Sequence, residues 1–324
     1  MTWNVVFRSL ATFVALISTG LPSLAQYPDR PLKIIVAWPP GGVVDTTARL
    51  VGEQLAMKFG QPVVVENRVG ANGNIGTTSV ARAPADGYTL QAVTAETHAI
   101  NPNLYKTITY DVFRDFDPVA LLARSNFVLA TRAGLPVEKV QDLIALAKAE
   151  PGKLTMATYG IGSTSHVTMV SFEEATKTSY LHVPYRGVSP VVNALLTGEV
   201  DAAFVTPHIV FELRNAGKLK ILGSASLQRM AIVSDVPTFT EQGIDGFTGG
   251  NWYGVVAPRG IPDAEKKRLA DELQAIAASQ AFLAHVKSLG VDAEYLDATG
   301  FADFLKKENQ RWGALIKARN IEVP

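Results

Sequence analysis

The chain has 324 residues, 47% of them hydrophobic, with 30 basic side chains balanced by 30 acidic ones. That balance gives no electrostatic footprint for nucleic acid or an anionic membrane surface, and a chain this long is expected to divide into two lobes. Cysteine is absent, which excludes disulfides, thiolate metal sites and cysteine nucleophiles.

Near the N-terminus Arg8 precedes an uncharged run, Ser9 to Gln26, with Leu10, Phe13, Val14, Ala15, Leu16 and Ile17 at its apolar centre. The run is too short to span a bilayer comfortably. Ser23 and Ala25 lie three and one positions before a cut at Ala25/Gln26, the small-x-small pattern of an export signal. Residues 1–25 therefore read as a signal peptide, and the mature chain as an exported soluble protein.

Beyond the leader, short β-branched runs alternate with amphipathic segments, the pattern of a parallel α/β fold. Lys33 to Ala37 reads as a buried strand, and Val44, Ala48, Val51, Leu55 and Phe59 recur at helical spacing until Gly60 and Pro62 stop the helix. Strands follow at Val63 to Val65 and Tyr88 to Val93, the second preceded by an Asp86-Gly87 turn. Phe127 to Ala130 opens a second lobe, with a helix through Val140, Leu143, Ile144 and Ala147 and strands at Leu154 to Thr158, Tyr180 to Val183, Val200 to Val205 and Leu219 to Gly223. Trp252 to Ala257 reads as a strand returning to the first lobe. Helices around Leu273, Val286 and Phe304 complete the chain.

In open parallel sheets, ligands bind beyond the carboxyl ends of the strands, where helix N-termini present free amides. Five such ends are rich in Gly, Pro, Ser or Thr: Trp38 to Asp45, Thr94 to His98, Tyr159 to His166, Pro184 to Pro190, and Thr206 to His208. Converging on one cleft, they would form a cage of N–H and O–H donors, suited to an anion. Arg186 and Glu96 are the main fixed charges, fewer than a phosphate clamp needs, which fits a carboxylate held by dipoles and water. The same residue types also cap helices in any α/β protein. Asp45 reads first as a helix cap and second as a direct or water-mediated ligand contact, Ser163, Thr164 and Ser165 as caps or ligand donors, and Trp38 and Tyr185 as pocket walls or surface packing. His98, His166 and His208 lack metal-ligand spacing and read as structural.

Enzyme readings find little support. Ser163 and His166 have no G-x-S-x-G elbow, the Pro-Pro-Gly-Gly turn lacks the Gly-Lys-Ser/Thr of a phosphate loop, and Gly70 to Gly76 lacks dinucleotide spacing. No catalytic residue, metal site or cofactor is expected.

Several ordered motifs together resemble the substrate-binding proteins of tripartite tricarboxylate transporters, the Bug type: WPPGGVVDTTAR, VVENRVGANGNIGT, PADGYTL, HAINPNLY, GIGSTSH, HVPYRGVSP with ALLTGEVDAAF, DVPTFTEQG and WYGVVAP. The resemblance implies a periplasmic protein with a two-lobed type II periplasmic binding protein fold and a ligand cleft between the lobes, with residues 26–125 plus 250–324 in lobe 1 and 126–249 in lobe 2. It implies a monomer that captures a small dicarboxylic, aromatic or amino acid and serves integral membrane transporter subunits; a role signalling to a membrane sensor kinase stays open. Carried over by motif, the ligand would be approached by Trp38, Pro40, Gly41, Gly42 and Asp45, by Ser163, Thr164, Ser165 and His166, by Tyr185, Arg186, Gly187 and Val188, and by Thr206 and Pro207. Thr94, at the end of the third strand, joins this set. Val43 and Val44 stand where related proteins often carry smaller or polar residues.

Overall fold

The computed structural model describes residues 27–323; the expected signal peptide lies outside the described residues. The first segment runs β1 (Leu32–Val36), α1 (Val43–Phe59), β2 (Val63–Asn67), α2 (Asn74–Ala81), β3 (Thr89–Thr94), a π-helical turn (Glu96–Ile100), α3 (Asn101–Leu104) and β4 (Phe116–Asn126). The second runs β5 (Val128–Arg132), α4 (Val140–Ala149), β6 (Thr155–Thr158), α5 (Thr164–Thr176), β7 (Leu181–Pro184), α6 (Val188–Thr197), β8 (Ala202–Val205), α7 (Pro207–Asn215) and β9 (Leu219–Ser224). The chain ends with β10 (Gly250–Pro258), α8 (Asp263–Ala277), α9 (Gln280–Ser288), β11 (Asp292–Leu296) and α10 (Ala298–Ala318).

Two sheets result, of order β11-β4-β10-β3-β1-β2 and β7-β6-β8-β5-β9. In the first, β1 runs parallel to β2 and β3, while β10 is antiparallel to both β3 and β4. In the second, β6 is parallel to β7 and β8, and β5 is antiparallel to β8 and β9. β1 is an almost continuous apolar run because neighbours flank it on both edges and helices cover its faces. Helix α1 turns Val44, Ala48, Val51 and Leu55 inward, and Gly60 ends it in the left-handed region with its N–H on the Ala56 carbonyl.

Two strands went unanticipated. β4 carries FDPVALLARSN, buried on both faces, so it lacks the alternation that marks a half-buried strand; its Pro118 sits at a register irregularity against β10, where a missing N–H is tolerated. β11 is a short, partly exposed edge strand with little apolar signal.

The chain crosses between the sheets along two adjacent paths. β4 continues almost directly through Phe127 into β5, and the return path enters β10 beside it. Phe127 N–H donates to the Gly249 carbonyl at 2.9 Å, Gly249 N–H to Ala225 at 3.0 Å, and Ala225 N–H to Phe127 at 2.8 Å. Separate apolar clusters lie against one face of each sheet, and a third runs through both lobes, joining Ile35, Val93 and Phe116 of the first to Leu129, Phe172 and Phe204 of the second.

Candidate functional site

Between the sheets opens a cleft of about 510 Å3. The first sheet contributes the Trp38–Val44 turn, Thr94 at the end of β3 and Glu96 just after it, Asn251 and Tyr253 on β10, and Leu289; the second contributes Tyr159, Gly187, Val188, Thr206, His208 and Ile209. The two sides therefore meet at strand ends, as the order of secondary structure leads one to expect.

Three helices, α1, α6 and α7, begin at this cleft, after Gly42, Gly187 and Thr206. None has a side-chain hydrogen bond at its N-cap. By contrast α5, α9 and α10 are capped by Ser163, Ser279 and Asp297. An uncapped N-terminus keeps unpaired N–H groups and about half a positive charge, a ready anion site. Gly41, with φ +89°, makes the tight turn before α1.

Four buried side-chain polar atoms of the lining have no hydrogen-bond partner among the described residues: Trp38 Nε1, Thr94 Oγ1, Tyr159 Oη and His208 Nδ1. Trp38 Nε1 is a donor only, the two hydroxyls can donate, and a neutral histidine donates from one ring nitrogen. Burial pushes the Tyr159 and Tyr253 phenols well above their ordinary range, so both hydroxyls stay protonated, and it lowers the His208 pKa, favouring the neutral ring. Among the described residues, no lysine or arginine lines the cleft.

The residues singled out from sequence divide into two groups. Trp38, Pro40, Gly41, Gly42, Thr94, Gly187, Val188 and Thr206 line the cleft. Asp45, Ser163, Thr164, Ser165, His166, Tyr185, Arg186 and Pro207 lie outside its lining, and most of them build the turns around it. Asp45 is 1% exposed and accepts Gly41 N–H at 2.8 Å, Asn67 Nδ2 at 2.7 Å and two Arg49 nitrogens at 3.0 and 2.9 Å. Burial alone would raise its pKa, but the hydrogen bonds from Arg49, Gly41 and Asn67 outweigh it and hold the carboxyl below its usual range. Its carboxylate thus shapes the glycine turn.

In the second sheet Ser163 Oγ donates to the Gly160 carbonyl at 2.7 Å and accepts from His166 N–H, while Ser165 Oγ accepts from Tyr159 N–H at 2.9 Å. His166 Nδ1 accepts from Gly162 N–H at 3.1 Å, and its ring stacks on His182 with centroids 4.1 Å apart. Tyr185 Oη donates to Glu199 at 2.7 Å, Arg186 is exposed, and Pro207 occupies the first position of α7. Thr164 reaches across to Glu96: its backbone N–H lies 3.3 Å and its hydroxyl 2.9 Å from Glu96 Oε1. Asn251 Nδ2 donates to the same carboxylate at 3.0 and 3.3 Å, and Asn251 Oδ1 accepts from Ala95 and Trp252 N–H.

A family model described as "Tripartite tricarboxylate transporter family receptor" matches residues 47–321. The chain belongs to this receptor family. The receptor is 33% identical over 320 residues to Protein BugT of Bordetella pertussis, a match covering 97% of each chain. Among solved structures it is similar to R. palustris Rpa4515 with adipate, at 31% identity and TM-score 0.81, covering 91% of this chain and 99% of that one. It is also similar to MatC from Rhodopseudomonas palustris with bound malate, at 29% identity and TM-score 0.75, covering 90% and 100%. The receptor has the two-lobed type II periplasmic binding protein fold and is a solute-binding protein, as its family is, and not an enzyme.

Sequence reasoning left several lining residues of the receptor unassigned: Tyr159, Asn251, Tyr253, Ile209 and Leu289. Tyr159 is the first residue of an identified glycine turn, so its place at a strand end was available as a signal. Asn251 and Leu289 arrive from far along the chain: the pairing of β10 with β3 brings Asn251 beside the end of β3, and Leu289 follows α9, which packs on α1. His208, read as structural from sequence, lines the cleft with Nδ1 unpartnered.

Proposed function

We propose that the receptor is a periplasmic solute-binding protein that captures a small carboxylate in the inter-lobe cleft and hands it to the integral membrane subunits of a tripartite transporter. The observation that carries this reading is the convergence of three uncapped helix N-termini and four unpartnered polar side-chain atoms on a cleft without lysine or arginine. Such a surface offers many neutral donors, and a carboxylate accepts up to four hydrogen bonds. The adipate and malate named with the two solved relatives support the same ligand chemistry.

In this reading Gly42 and Val188 present backbone N–H groups, Thr94, Tyr159, Thr206 and His208 offer side-chain donors, and Trp38 combines an apolar wall with its indole N–H, while Gly41 and Gly187, whose N–H groups are held by Asp45 and the Tyr159 carbonyl, shape the turns. Asp45, Ser163, Ser165 and His166 hold the turns in position. Residues 1–25 act as the leader that takes the chain to the periplasm.

A thermal-shift screen of the mature chain against aliphatic and aromatic mono-, di- and tricarboxylates, with phosphate, sugar and nucleotide controls, tests this. A ligand at a hundred times its dissociation constant stabilises by about 2.7 kcal/mol, enough to raise the midpoint by a few degrees. Stabilisation by carboxylates is expected; a response confined to the controls would refute the reading.

A further inference from the structure

Among the described residues, the lining of the cleft holds a single anionic residue, Glu96, and no compensating cation. Glu96 is 7% exposed, and its hydrogen-bond partners are neutral: Thr164 N–H and hydroxyl, and the Asn251 amide. Each of these donates to the Glu96 side-chain oxygens. Glu96 thereby occupies the N-terminus of α5 and leaves α1, α6 and α7 for the ligand. At about half a charge each, these three ends offer about 1.5 positive charges, enough to offset one carboxylate and short of two. Much of the remaining wall is apolar, with Val43, Val44, Ile209 and Leu289 beside the rings of Trp38 and Tyr253.

We propose that Glu96 sets a charge limit on the ligand, so that the cleft takes a monocarboxylate with an apolar body and rejects its dicarboxylate counterpart. This rests on the reading of the cleft as a carboxylate site. Closing over a dicarboxylate would enclose three anionic groups without a cation in a space of about 510 Å3. Each buried carboxylate loses hydration, and like charges at close range oppose one another's ionisation. A monocarboxylate satisfies the donors with one end and leaves its apolar body against the wall. The receptor would then differ in preference from its relatives with adipate and malate, to which it is only 31% and 29% identical.

Calorimetric titration of the full mature chain with matched pairs tests the proposal: hexanoate with adipate, butyrate with succinate, and benzoate with terephthalate. Among the pairs that bind, the monocarboxylate is expected to bind at least about tenfold more tightly, a difference of about 1.4 kcal/mol. Glu96→Gln should close much of that gap, raising dicarboxylate affinity relative to monocarboxylate affinity in each pair that binds. Equal or tighter dicarboxylate binding by the unaltered chain overturns the charge limit and leaves the carboxylate reading standing. An equal loss for both members in Glu96→Gln overturns it as well, reducing Glu96 to a tie between lobes. If no member of any pair binds, the charge limit and the carboxylate reading fall together. Should Glu96→Gln fail to fold, the ranking in the unaltered chain decides alone.

Discussion

Tyr159 carries a hydroxyl buried in the cleft wall with no hydrogen-bond partner among the described residues, and such a group costs about 1–3 kcal/mol in the unliganded protein. Tyr159→Phe removes that cost while keeping the ring, so the unliganded variant should be at least as resistant to denaturant as the parent. The carboxylate identified by thermal screening should nonetheless bind about tenfold more weakly, as measured by calorimetry; unchanged affinity would take Tyr159 out of the site. A second residue-scale prediction concerns two deeply buried histidines. Burial pushes His98 down to about 3, and burial with the adjacent His182 ring does the same for His166. Both are depressed relative to an unfolded value near 6.5, so the unfolded state binds more protons as the pH falls. The stability they confer is complete above about 6.5 and is lost progressively towards 3, at up to about 1.4 kcal/mol per pH unit for each. Urea midpoints should therefore drop between pH 7 and pH 5, above the range in which ordinary carboxylates titrate; a flat profile would contradict the assignment. The turn chemistry of Trp38 to Asp45 and Gly187 to Val188 was legible in the sequence because glycine and proline mark tight geometry. The division of labour within those turns was not, since Asp45 and Thr94 are both small polar residues beside a strand end, and only their partners separate a loop brace from a cleft wall.

At the scale of elements, the amphipathic helices and the strongly β-branched strands could be read directly, β1 and α1 most plainly. β4 could not, because a central strand buried on both faces has the composition of any apolar segment. Its junction with β10 is where the lobes are joined. Gly250 has φ +155°, and a Cβ there would collide with the Ser125 carbonyl and lie 2.9 Å from Asn126 Cα, both backbone atoms of the outgoing path. Gly250→Ala should therefore destabilise the fold by about 3 kcal/mol or more, through strain and lost pairing. Chemical denaturation measures this directly, and a change below about 0.5 kcal/mol would show that the crossing tolerates displacement. Gly254, whose Cβ would lie 2.5 Å from Phe301 Cζ and 2.9 Å from the Ala120 carbonyl, fixes the approach of α10 in the same way. Helix α10 is further tied down by Glu308, which accepts Trp252 Nε1 of β10 at 3.2 Å and, within the helix, Trp312 Nε1 at 3.0 Å.

For the whole molecule, one apolar cluster running through both sheets has a thermodynamic consequence. Unfolding either sheet alone would expose the half of that cluster belonging to the other, so the two lobes should melt together. Scanning calorimetry of the unliganded chain is expected to show one transition with equal calorimetric and van't Hoff enthalpies; two resolved transitions would show that the shared cluster does not couple them. Arg319 at the end of α10 adds to this joint through Glu173 of α5 at 2.7 Å. The bare ends of α1, α6 and α7 carry a different implication, one for the life of the protein in its compartment. A solute that seats against those ends takes the part of three missing cap residues, so it completes the folded chain as well as being its cargo. Proteases act on the opened form, whose population falls as ligand binds. Receptors starved of solute should be cleared sooner than those kept supplied, and the cell's stock of this protein would follow the supply of what it gathers without any change in transcription.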